Sequence, residues 1–355
     1  MLLSEYLHSS TPELPKKFLD FFCVIQKNIV SLPSVYHADM MARRQMYYHR
    51  NLYLLCFSIL LTLVGCKETV QESTKQCSAY FWSTTFELDS TQLDFIRSHE
   101  VSRLYLRYFD VVVDDADRVM PNASVRFVSA QPEGVEIVPT VFIVNDCLLK
   151  DVSRLDSLLL RRILQMSETH DITGVREIQI DCDWTGRTRT AYFDMLSRLS
   201  TAAHEKGITL SATIRLHQLS QSPPPVDKGV LMMYNTGDVR DLSHNPILDM
   251  EAAGPYLKHL RRYRLPLSTA YPIFSWDLLF RGSRFVGILH SDDEWPILPG
   301  DTIVHRDVDI ETVLTAKDAV SAHQPSANNE IILFDISKNN MSNINNKRYE
   351  EIYSH

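Results

Sequence analysis

From Ser78 onward, apolar and polar positions alternate in short runs, and longer stretches of helical period separate those runs. Residues 78–83, 102–110, 135–143, 208–214, 229–234, 265–274 and 330–335 read as strands, and the run through Ile178 and Ile180, alternating with Gln179 and Asp181, makes an eighth. Pro139 lies inside the third, an awkward place for a ladder donor. Between the strands, Asp89, Ser90 and Thr91 offer N-caps. Leu155, Leu158, Leu159, Ile163 and Leu164 form one helical face, and Tyr192, Met195, Leu196, Leu199 and Ala203 form another, which ends near Gly207. Pro223–Pro225 is a stiff loop. Residues 278–329 exceed a normal unit; they suggest an inserted strand at 302–307 and a helix at 310–322. Eight strands alternating with helices predict an α/β fold, a single (β/α)8 TIM-like barrel over residues 78–345, with a frayed tail beyond Lys338 that includes 346–355. A doubly wound open sheet fits less well, because no glycine-rich phosphate turn follows the first strand.

The N-terminal region breaks this pattern. Residues 52–64 are an apolar run that follows Arg43, Arg44 and Arg50, too short for a comfortable span but of signal-core size. The run ends in Leu63-Val64-Gly65-Cys66, which resembles the bacterial lipobox. That resemblance implies a signal segment at 46–66, diacylation of Cys66 as the mature N-terminus, and a polar tether at 67–77. Residues 1–45 then precede the signal, with translation starting at Met40, Met41 or Met46. Lys67 after the cysteine resembles outer-membrane sorting, so the expected location is a lipid-anchored one at the cell envelope, attached to the membrane without a spanning helix.

A formal charge of −8 and scattered basic residues argue against a nucleic-acid partner. Six cysteines in 355 residues are no disulfide framework. Cys147 and Cys182, near the ends of neighbouring strands, are close enough in the expected topology for a bridge, with two free thiols as the simpler state.

The chemistry concentrates at the end of the fourth strand. Asp181 and Asp183, two apart, point to one side of it, into the barrel. Close carboxylates of this kind suit acid–base work, contact with a ligand, or a satisfied structural pair. Ile180-Asp181-Cys182-Asp183-Trp184 resembles the acid-rich strand of chitinase-like glycoside hydrolases, and Gly229-Val-Leu-Met-Met-Tyr234-Asn235 resembles their sixth strand. An uncharacterised group of bacterial barrels with an Ile-Gln-Ile-Asp-x-Asp strand is more similar still. The chitinase resemblance implies catalysis through Asp181 and Asp183, with Tyr234 and Asn235 orienting a sugar. Two departures matter: Ile178 stands where the first acidic rung would be, and Thr185 stands where the proton-donating glutamate would be. Threonine is no general acid near neutral pH.

Trp82, Trp184 and Trp276 fall at expected strand ends, where indole faces stack on sugar rings or simply pack. Tyr108, Asp110, Tyr271, Asp277 and Asp335 share that rim. His305, Asp307 and Asp309 alternate but lack further ligands, so no metal and no cofactor is expected. Arg215 and His217 offer a base or an anion-binding group at the mouth, or a plain surface turn. Two functions follow from these residues: a lipid-anchored glycoside-hydrolase-like enzyme with a carbohydrate ligand, or a barrel of the same shape that binds glycan or protein without turnover.

Overall fold

The computed structural model describes residues 75–289, 295–341 and 346–354. The signal segment, Cys66 and most of the tether lie outside them. Eight parallel strands close into a barrel: β1 (Gln76–Phe81), β3 (Arg103–Val113), β6 (Glu136–Ile143), β7 (Glu177–Asp181), β8 (Thr209–Ile214), β9 (Lys228–Met232), β10 (Leu267–Pro272) and β14 (Glu330–Phe334). Each pairs with its neighbour in that order, and β1 closes the ring by pairing with both β3 and β14. All eight strands read from the alternation are present. Pro139 is tolerated because the ladder from β6 to β7 begins only at Thr140.

Alternation sorts the side chains into two layers. Ala79, Leu104, Ile137, Ile178, Ile180 and Leu210 face outward, under the helices. Tyr80, Tyr105, Val138, Val230, Met232 and Ile332 face inward. Helix α1 (Ser90–Ser98) starts at Asp89, whose carboxylate accepts from the Gln92 N–H while Gln92 Oε1 accepts from the Asp89 N–H, a reciprocal cap. In α2 (Leu155–Thr169) the buried face is Leu155, Leu159, Leu160, Ile163 and Ser167. Leu158, expected on that face, is 43% exposed, since Leu160 takes the place against the barrel. Helix α3 (Arg189–His204) buries all five residues expected of it. Gly207, at φ +72°, supplies the left-handed turn after it.

The floor of the barrel is ionic. Arg103 reaches Glu136 at 3.1 Å and Glu177 at 3.0 Å, and Lys228 reaches Glu177 at 3.0 Å and Glu330 at 2.9 Å. Ser78 and Ser268 donate to the two oxygens of Glu330, and Tyr105 donates to one of them. Every one of these groups sits at the N-terminal end of a strand. None of its charged residues was singled out in the sequence, where each is one charge among many.

Two short strands, β2 (Thr85–Phe86) and β5 (Arg126–Phe127), pair beside the barrel, and β4 (Val119–Asn122) runs back along β3 as a hairpin. The long unit after β10 is a three-stranded antiparallel sheet of β11 (Trp276–Arg281), β12 (Arg284–Leu289) and β13 (Asp301–Arg306). The expected inserted strand is β13, and helix α5 (Ile310–His323) follows it, both as read. Helix α4 (Met250–Leu257) precedes β10, and α6 (Lys338–Met341) and α7 (Asn346–Tyr353) close the chain. Residues Asn346–Tyr353, expected to fray, form a packed helix instead: Tyr349 and Ile352 are fully buried, and the Tyr353 hydroxyl donates to the Ser78 carbonyl at 2.7 Å. No described helix is long and apolar enough to cross a membrane.

Candidate functional site

The C-terminal ends of the barrel strands carry the candidate site. Asp181 ends β7 and is buried; the Thr213 hydroxyl from β8 donates to its Oδ1 at 2.6 Å. Asp183, on the same side of the chain two residues later, has a side chain 56% exposed. Arg215, just past β8, lies between them. Its Nε donates to Asp183 Oδ1 and its Nη2 is 3.6 Å from Asp181 Oδ1. Burial opposes the charge on Arg215, but Asp181 and Asp183 outweigh it and hold the guanidinium above its ordinary pKa. Burial also raises the Asp181 carboxyl, against the pull of Arg215 and Thr213. The two acids are brought together as expected, and a cation that sequence reasoning placed more readily on a surface turn joins them.

Across the mouth, Arg107 Nε donates to Asp110 Oδ1 at 2.9 Å, and its guanidinium carbon lies 5.6 Å from the Trp82 ring centre. Aromatic rings form a continuous arc between the two acid–arginine groups. Trp82 lies 5.6 Å from Phe334, Phe334 lies 4.7 Å from Tyr234, Tyr234 lies 5.9 Å from Phe274, and Phe274 lies 5.4 Å from Trp276. Trp82 and Trp276 remain partly exposed. The Tyr234 hydroxyl is buried and has no hydrogen-bond partner among the described residues. Burial, with Tyr80 next to it, pushes its pKa well up, so it stays a neutral donor. Asn235 is exposed at the rim, in the left-handed region at φ +56°.

Several expected rim residues are elsewhere. Trp184 is 1% exposed and packs outward against Phe193 and Tyr192 of α3. The strand period that turns Asp181 and Asp183 inward turns Cys182 and Trp184 out. Tyr108 and Tyr271 also face outward, bonded to Ser167 and Asn328. Asp277 faces His305 Nδ1 at 2.7 Å on the inserted sheet. Asp335 does stay beside the mouth, but buried and occupied: the backbone of Trp82, the Ser337 N–H and Asn340 all bond its carboxylate. Thr185 opens the turn into α3, where its carbonyl accepts from the Thr188 and Arg189 N–H groups.

With His305 on Asp277 and Asp309 capping α5, the alternating His-Asp-Asp run does not converge, and no metal-ligating cluster of three occurs among the described residues. Cys147 and Cys182 are free thiols. Phe334 and Arg107 belong to the mouth but were not read as such, while Phe274, which with Pro272 and Trp276 resembles the seventh strand of the chitinase-like family, joins them there. Phe274 and Phe334 lie at or just past the ends of their strands, as Trp82 does, a position that carried the signal.

No protein-family model matches the chain, and no curated protein matches it. Solved structures do. The spore cortex-lytic enzyme SleL of Bacillus cereus superposes with a TM-score of 0.51 at 16% identity, over 79% of this chain and 74% of that one. A chitinase from Chromobacterium violaceum gives a TM-score of 0.51 at 11% identity, over 79% of this chain and 99% of that one. The chain therefore has the barrel fold found in chitinase-like glycoside hydrolases.

Proposed function

We propose that this protein binds a glycan at the C-terminal mouth of its barrel without hydrolysing it, and is held at the cell envelope by lipid on Cys66. The observation that carries the first part is Arg215, paired with both Asp181 and Asp183. Glycoside hydrolysis needs a carboxylic acid to protonate the leaving oxygen and a second group on the other side of the bond. Here the position expected to hold the acid is Thr185, whose hydroxyl does not give up a proton near neutrality. Asp183 accepts from a guanidinium, and Asp181 is buried under Thr213. The two acids act as a clamp on Arg215 rather than as an acid–base pair.

Binding has better support than turnover. Trp82 and Trp276 present partly open indoles, and Asn235 supplies an exposed amide at the same rim. Apolar stacking with a few convergent polar groups is how sugar-sized ligands are held. Two proteins of this fold are by name a cortex-lytic enzyme and a chitinase, which makes carbohydrate the first ligand class to test. The lipid anchor rests on the apolar run and Leu63-Val64-Gly65-Cys66.

A glycan array probed with the full chain tests the binding site. Saturable capture that falls at least tenfold in Trp82→Ala and Trp276→Ala supports it; capture unchanged in both moves the ligand elsewhere. For the anchor, the intact mass of the native protein should show a diacylglyceryl group on Cys66. A mature chain that keeps residues before Cys66 would sink that part.

A further inference from the structure

A groove on the outer wall of the barrel is unrelated to the mouth. The β3–β4 hairpin stands off the wall and leaves about 240 Å³ between itself and α2. Phe109, Val111, Val119, Met120, Leu155, Leu158 and Leu159 line it, and all are apolar. Met120 and Leu158 are 41% and 43% exposed, although Leu158 carries the helical period of a core residue. Arg161, Arg162 and Gln165 form one rim, and no acidic residue lines the space. In a chain of net charge −8, that is a local reversal of sign.

The two arginines are not spent on each other or on carboxylates. Arg161 is exposed and makes no ion pair or hydrogen bond among the described residues. Arg162 lies 5.2 Å from the Phe109 ring centre and donates through Nη2 to Ser124 Oγ at 2.8 Å, while its buried Nε has no partner. An apolar trough with unneutralised guanidinium at one edge matches a ligand with an alkyl chain and an anionic head.

The geometry points to this groove as a binding site for a single-chain fatty carboxylate, its chain along Leu158, Met120 and Val119 and its carboxylate at Arg161 and Arg162. A neutral or cationic amphiphile gains the same apolar contact but not the ion pair. Selectivity for the anion is therefore the signature.

The full chain, purified in CHAPS so that neither a single-chain nor a sugar-headed detergent is present, is titrated with dansyl-undecanoate and followed by dansyl emission. Saturable enhancement is expected, with dodecanoate displacing the probe. Dodecanol should be at least tenfold weaker as a competitor, and dodecyltrimethylammonium should be without effect. Arg161→Glu should lower probe affinity at least tenfold and Leu158→Asp should abolish it. Lys258→Glu, a charge reversal elsewhere on the surface, leaves it unchanged. Both groove variants are surface changes, and retained near-ultraviolet circular dichroism and glycan capture confirm that they are folded. No saturable signal, equal displacement by all three competitors, or full affinity in Arg161→Glu would each overturn the assignment.

Discussion

A guanidinium shared by two carboxylates cannot be removed alone without leaving a buried acid unpaired. Arg215→Met should therefore destabilise the protein by about 3 kcal/mol, because Asp181 keeps its desolvation and loses its cation. Urea unfolding measures this, and Asp181→Asn added to Arg215→Met should recover part of the loss. A single variant as stable as the parent would mean that the arginine does not hold the mouth together. At the same scale, the site was half legible in the sequence. Asp181 and Asp183 were found because period two is visible in four residues. Trp184 was misplaced although the same period settles it: a residue one step from an inward aspartate faces out. Arg215 was undervalued because a basic residue after a strand looks the same in sequence whether it turns into the mouth or into water.

At the level of elements, the strands were legible because each combines alternation with bounding turns. The hairpin of β11 and β12 carried a signal too, Gly282-Ser283 between two apolar runs, with Gly282 at φ +61°. It was passed over inside a long unit. The last helix was misread for a different reason: its polar composition hides three apolar residues spaced for one face, which find partners on α1, on β1 and beside α5 only once the chain has folded. Tyr349 meets Phe95 edge to face at 5.0 Å. Tyr349→Ala should cost about 3 kcal/mol and lower the melting temperature by several degrees, as large-to-small core changes do. A melting temperature like that of the parent would show that α7 adds nothing to the barrel. Asp89→Ala, which removes the reciprocal cap of α1, should cost about 1 kcal/mol by the same unfolding measurement.

For the whole molecule, the ionic floor ties strands from all round the barrel and makes stability depend on pH. Burial alone would raise the Glu330 carboxyl, but Lys228, Arg103 and the Ser268 hydroxyl bring it down to about 2. A carboxyl depressed on folding stabilises fully above its unfolded value near 4.5 and loses that contribution as pH falls toward 2. The parent should thus lose about 3 kcal/mol between pH 5 and 2 through this group. Glu330→Gln should be the less stable protein at pH 6, and the gap should narrow in acid. Parallel stability–pH curves would contradict that. The barrel as a whole was legible because eight strands and eight turns repeat one pattern. The floor was not, because its charges are spread over distant strand starts and meet only when the sheet closes.

What happens to a glycan once it is bound separates a binding barrel from a hydrolase. The glycan captured best by the full chain is incubated with it to saturation for many hours, and the products are separated by chromatography. An intact glycan and a trace identical to that of Asp183→Asn are expected. Shorter fragments released by the parent and absent with Asp183→Asn would contradict this and make Asp183 part of a working hydrolase.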